Sequence, residues 1–122
     1  MNELDKILGG LIQRTTEGKL KWSPTVERDR FVTSIDAISV VVGQLSEARG
    51  VYPARHQLEI LNDEGFTVEV LETEDEFGLV ATDELATPEQ AGQMNRLYVL
   101  ARRSGLNAHS TLEKLAKALG AE

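Results

Sequence analysis

Few side chains in this 122-residue chain have the type and spacing that chemistry requires. A nucleophile needs a base within reach. The histidines are His56 and His109, and His109 stands beside Ser110. Yet Ser110 opens "STLE", where Ser and Glu three apart form a capping box at a helix start. The cap accounts for Ser110 and leaves His109 as a loop residue. His56 opens an expected strand on its inward phase. No histidine pair at helical spacing and no calcium-loop pattern occurs. The run Glu72, Glu74, Asp75, Glu76 offers oxygen ligands for a hard cation, but a solvated acidic loop is the simpler reading. "LGG" and "GLNAHST" lack the glycine and lysine spacing of phosphate loops. A carboxylate pair is set by geometry rather than spacing, so it cannot be picked out among twenty Asp and Glu residues. The expectation is a chain with no catalytic, cofactor-binding or metal-binding residue and no cofactor.

One local cluster points elsewhere. "GLIQRTTEGKLKW", Gly10 to Trp22, brings Lys19 and Lys21 close to the single tryptophan, and Arg28 and Arg30 follow. Lys19, Lys21, Arg28, Arg30 and Trp22 form a candidate basic patch in which the indole would stack on a base. Glu17, Glu27 and Asp29 interrupt it. The competing reading is that Trp22 lies under the first helix while the charges are solvated.

Bulk charge weighs against nucleic acid and anionic membrane. Twenty acidic residues oppose thirteen Lys and Arg, a formal charge of -7, which disfavours non-specific association with polyanions. The absence of cysteine removes disulfides and thiolate chemistry. No window approaches the roughly 18 apolar residues of a membrane span. The N-terminus lacks the basic and then apolar pattern of a secretory signal. A cytoplasmic location is the expectation, with one domain over residues 1–122.

The elements that would position these residues follow from periodicity. Leu4, Ile7, Leu8, Leu11 and Ile12 line one helix face, and Gly18 fits a helix terminus, which predicts a helix over about residues 3–17. "RFVTSIDAISVVV" reads as a hairpin around Asp36-Ala37, pairing Ile35 with Ile38, Thr33 with Val40 and Phe31 with Val42. "HQLEILNDEGFTVEV" reads as a second hairpin. Its turn places Asn62 opposite Phe66, with Gly65 as the left-handed residue. The same register sets Ile60 against Val68 and Leu58 against Val70. "LVAT" is a further short strand. Thr87, Pro88 and Gln90 start a helix that ends at Gly105, and Ser110 starts the last one. The fold class is α+β: an N-terminal helix, an antiparallel sheet of about four strands in two hairpins, and two C-terminal helices packed on one face.

Two stretches, "LGGLIQRTTEGKLKW" leading into "RFVTSI" and the terminal "LYVLARRSGLNAHSTLEKLAKAL", resemble an uncharacterised group of small bacterial proteins. In that group a helix ends in a Thr and Gly pattern before a tryptophan, and a C-terminal helix carries Leu, Tyr and Ala at helical spacing. The resemblance spans about half the chain. It implies the same order of elements and supplies no catalytic residue or activity. The segment from Gly43 to Arg55 is longer than the group's usual form.

With Phe31, Ile35, Val40, Val42, Leu58, Ile60, Val68 and Val70 inward, the opposite sheet face carries Val32, Val41, Leu61 and Leu71. That face is too apolar to be wholly solvated. It is covered by the chain itself, through the Gly43–Arg55 loop or the "FGLV" segment, or it is an interface with a protein partner or a second copy. The leading expectation is a non-enzymatic interaction module of inhibitor, immunity or adaptor type in a bacterial or phage setting. The alternatives are a small enzyme with a carboxylate-based or dimer-interface site, and a nucleic-acid-associated regulator.

Overall fold

The computed structural model describes residues 3–51, 53–73 and 86–120. Helix α1 (Glu3–Thr16) is followed by strands β1 (Ser23–Pro24), β2 (Arg30–Ile35), β3 (Ile38–Ser46), β4 (Arg55–Leu61) and β5 (Thr67–Glu72), then helices α2 (Pro88–Gly105) and α3 (Ala108–Ala118). The strands form one antiparallel sheet in the order β1-β2-β3-β4-β5. This is the expected α+β order with one strand more. The extra strand is Ser23–Pro24, which pairs with Val32 and Phe31. A Ser-Pro pair reads as a break, yet proline is tolerated at a sheet edge because no ladder donor is required of it there. The "LVAT" strand, Glu74, Asp75, Glu76 and the "FGLV" cover lie outside the described residues.

α1 ends as its sequence directs. Gly18 takes φ 75°, and the amides of Gly18 and Lys19 donate to the carbonyls of Thr15 and Arg14. α2 begins with the full capping box: Gln90 N donates to Thr87 Oγ1 at 3.1 Å, and Thr87 N donates to Gln90 Oε1 at 3.0 Å. The Gln90 amide also donates to Asp5 Oδ1 at 2.9 Å, tying the starts of α1 and α2 together. α3 departs from expectation. It starts at Ala108, not Ser110, after Asn107 in the left-handed region. The chain between α2 and α3 is only Leu106-Asn107. Ser110 therefore falls inside the helix, where it is exposed and caps nothing.

The first hairpin has the predicted register throughout, from Ile35 opposite Ile38 to Phe31 opposite Val42. The second holds it only at the tip. Asn62 N donates to Phe66 O, Asn62 Oδ1 accepts from the amides of Glu64 and Phe66, and Leu61 faces Thr67. Beyond that the register shifts by one, so Ile60 faces Glu69 and Leu58 faces Leu71. Val68 is the extra residue of a bulge. Since side chains alternate with a period of two, one inserted residue exchanges the two faces of β5. Leu71 is thus a core residue, 1% exposed, whereas Val68 is 57% exposed and Val70 lies on the outer side.

The core lies between the inner sheet face and α1 with α2. Phe31, Val40, Val42, Leu58 and Leu71 meet Leu8, Leu11, Met94, Leu97 and Ala101. α2 lies across the strands with α1 beside it, and α3 makes its contacts with α2. Gly105 closes α2 against the sheet: a Cβ there would stand 2.6 Å from Phe31 Cδ1. Next to it Ser104 Oγ accepts from Trp22 N at 3.0 Å.

Candidate functional site

β2 to β5 present an outer face on which no described helix packs. Alternation and register lay it out in rows. Arg30, Gly43, Gln57 and Glu72 form one, and Val32, Val41, Glu59 and Val70 the next. A third row runs through Ser34, Ser39 and Leu61 to Thr67. Val32, Val41, Val70 and Leu61 are all partly exposed. Of the expected interface residues, Val32, Val41 and Leu61 share this face, and Leu71 does not. The β5 bulge turns Leu71 inward and puts Val70 in its place.

A polar chain runs beside and between the valines. Arg30 is set on this face by β2, and its stem crosses β3 over Gly43, where a Cβ would lie 2.8 Å from Arg30 Cγ. Its guanidinium reaches Gln57 Oε1 at 2.9 Å, Glu59 Oε1 at 3.0 Å and Glu27 Oε2 at 3.2 Å. Gln57 passes the chain on, its Nε2 donating to Glu72 Oε2 at 2.8 Å. Arg55 Nη2 lies 3.6 Å from Glu72 Oε1. Thr67 Oγ1 donates to Glu59 Oε2 at 2.7 Å. The Arg30–Glu59 contact lies in a partly desolvated setting, where a charge-assisted bond is stronger than a neutral one. This arrangement holds Arg30, Gln57 and Glu59 in fixed positions beside an aliphatic row.

The candidate basic patch does not assemble around an accessible ring. Trp22 is 3% exposed, and its Nε1 donates to Thr15 Oγ1 at 3.0 Å, while Thr15 Oγ1 donates to Leu11 O at 2.7 Å. The indole is a core residue joining α1 to β1, so it offers no face to a base. Lys19 pairs with Glu17 at 3.4 Å on the surface. Arg30 is engaged on the sheet. Lys21 borders a cleft of about 490 Å³ between the ends of α1 and α2 and the start of α3, together with Arg103 and His109. Arg28 is exposed.

His56 is inward as expected, and its environment was not foreseen. The ring is 1% exposed, its centroid 5.3 Å from that of Tyr98. Neither ring nitrogen has a hydrogen-bond partner among the described residues. Burial pushes its pKa below the ordinary 6.5. Tyr98 in turn donates to Asp29 Oδ1 at 3.4 Å. Burial, with the nearby Asp29 carboxylate, raises the phenol above its ordinary value. His109 pairs with Glu113 at 3.0 Å on the surface of α3 and is far from the buried His56 in character. Among the described residues no group of three or more His, Cys, Asp or Glu side chains is arranged to hold a metal, and no helix is long and apolar enough to cross a membrane.

A second cleft, of about 740 Å³, opens beside the start of α2 and is lined by small side chains such as Ala48, Ala54, Ala91 and Gly92. The charged residues of the outer face take no part in it.

No protein-family model matches the chain, and neither a curated protein nor a solved structure is significantly similar to it, so the resemblance of its two ends to small bacterial proteins has no counterpart in these comparisons.

Proposed function

We propose that this protein is a non-enzymatic interaction module of inhibitor, immunity or adaptor type that engages a protein partner through its outer sheet face. The observation that carries the reading is Val32 and Val41 side by side, with Val70 beyond Glu59 in the same row, on a face over which no described helix packs, and Arg30 and Gln57 in the adjoining row. Partly exposed apolar side chains beside fixed polar groups are ordinary components of a protein interface. Prearranged side chains also reduce the ordering cost of association. A bacterial or phage setting, and a cytoplasmic one, fit the acidic, cysteine-free composition.

The regulator alternative loses its stacking platform with Trp22 in the core. Among the described residues nothing in the geometry singles out a carboxylate pair for the enzyme alternative. Capture from an extract of the source cell tests the leading reading. A protein held by the native chain and lost with Val41→Asp supports it. Undiminished capture by a folded Val41→Asp chain contradicts it.

A further inference from the structure

α3 is amphipathic, yet none of its residues is buried. Leu112, Leu115 and Leu119 are 54%, 53% and 76% exposed. Their spacing, with Ala108 one step earlier, is the alternating four and three of a helix-pairing seam. α3 touches the rest of the described chain through α2, and that contact leaves the seam open.

We propose that α3 pairs with α3 of a second copy of this chain about a two-fold axis, making the protein a homodimer through a surface separate from the sheet face. Three features select a second copy as the occupant. The first is symmetry. In a two-fold interface each patch meets itself, so charged flanks would oppose their own kind. Thr111, Ala116 and Ala118 flank the seam and are small and uncharged, His109 flanks only its first turn and is paired with Glu113 of its own helix, and Lys114 and Lys117 lie on the far side. The second is local charge. The chain is strongly acidic overall, but α3 carries Lys114 and Lys117 against Glu113, so the acidic excess that would drive copies apart lies elsewhere. The third is area. The three leucines expose on the order of 350 Å² per copy, which equals the apolar share of an interface burying roughly 1,200 Å² in total, the lower end of the stable class. A dimer of that size belongs in the micromolar range rather than the nanomolar.

Sedimentation equilibrium from roughly 1 µM to 1 mM tests the proposal on the full chain, with Leu115→Glu and Lys117→Glu beside it. The native chain passes from one copy to two across the range and dimerises more tightly as salt rises. Leu115→Glu stays a monomer with an unchanged far-ultraviolet spectrum, and Lys117→Glu behaves as the native chain does. If Leu115→Glu unfolds, Leu115→Cys supplies the readout. The chain has no other cysteine, so mild oxidation gives a covalent dimer at least tenfold faster than Lys117→Cys. A native chain that is a monomer throughout overturns the proposal. So does equal cross-linking from both positions, or a seam that takes the monomer onto phosphatidylglycerol vesicles without any dimer forming.

Discussion

Arg30 reaches across β3 only because residue 43 is glycine: a Cβ at that position would stand 2.8 Å from Arg30 Cγ and 3.3 Å from Asp29 O. The two residues face each other in the β2–β3 register. The absence of one side chain gives the other its path to Gln57 and Glu59. This predicts a coupling. Gly43→Ala destabilises by about 1–2 kcal/mol through overpacking and a displaced arginine. In an Arg30→Ala background the same change costs much less. A double-mutant cycle on urea unfolding measures the difference, expected at about 1 kcal/mol for groups in direct contact. Additive effects would show that the arginine bends aside freely.

His56 makes a statement about pH. Its pKa in the folded state is depressed by burial, so the unfolded chain binds the proton more readily. Stability is then full above the unfolded value of about 6.5 and declines as pH falls below it toward the folded value. Chemical denaturation at pH 8 and at pH 5.5 compares the two regimes, and the midpoint is lower at 5.5. Replacing the ring by an apolar side chain of similar size removes a buried polar group that has no partner among the described residues. His56→Leu is therefore neutral or stabilising at pH 8, by up to about 1–2 kcal/mol, and its stability changes less between the two pH values.

Trp22 donates its indole N–H to Thr15 in the core. Thr15→Val keeps the shape and removes the acceptor. Stranding a buried donor costs about 1–3 kcal/mol, which a urea midpoint reads directly. An unchanged midpoint would mean that the indole reaches another acceptor.

The β2–β3 turn carries local strain. Asp36 and Ala37 sit at φ 49° and 69°, as a two-residue turn of this hand requires, but alanine is ill suited to the left-handed region. An Asn-Gly dipeptide is the preferred pair for such a turn. Asp36→Asn combined with Ala37→Gly therefore stabilises by about 1 kcal/mol or more, read as a raised urea midpoint. An unchanged or lowered midpoint would show that the turn holds no strain to release.

That turn also marks how far the sequence could be read. Asp36-Ala37 lacks turn chemistry, yet the register came through because Phe31, Thr33 and Ile35 and then Ile38, Val40 and Val42 hold one phase across it. In the second hairpin the turn chemistry of Asn62 and Gly65 was sound, and the phase misled. Phe66 to Val70 alternates without a flaw, so nothing local announces a bulge at Val68. The bulge is selected by tertiary packing, which buries Leu71 beside Leu58. The outer face was legible as an apolar excess at Val32, Val41 and Leu61. Its polar chain was not, because Arg30, Gln57, Glu59 and Glu72 meet only once strands separated in sequence are in register. For Trp22 the burial reading was available from the helix end at Gly18, and the structure settles the choice in its favour.

Binding of a partner over Val41 and Val70 is read by site-specific photo-cross-linking. A benzophenone side chain is placed at residue 41 or 70, and at exposed Gln13 on α1 as a control. The proteins are irradiated in an extract of the source cell. Positions 41 and 70 are expected to give one shared covalent adduct with a second protein, and position 13 none. Adducts from 13 alone, or none from 41 and 70 in correctly folded protein, would contradict it.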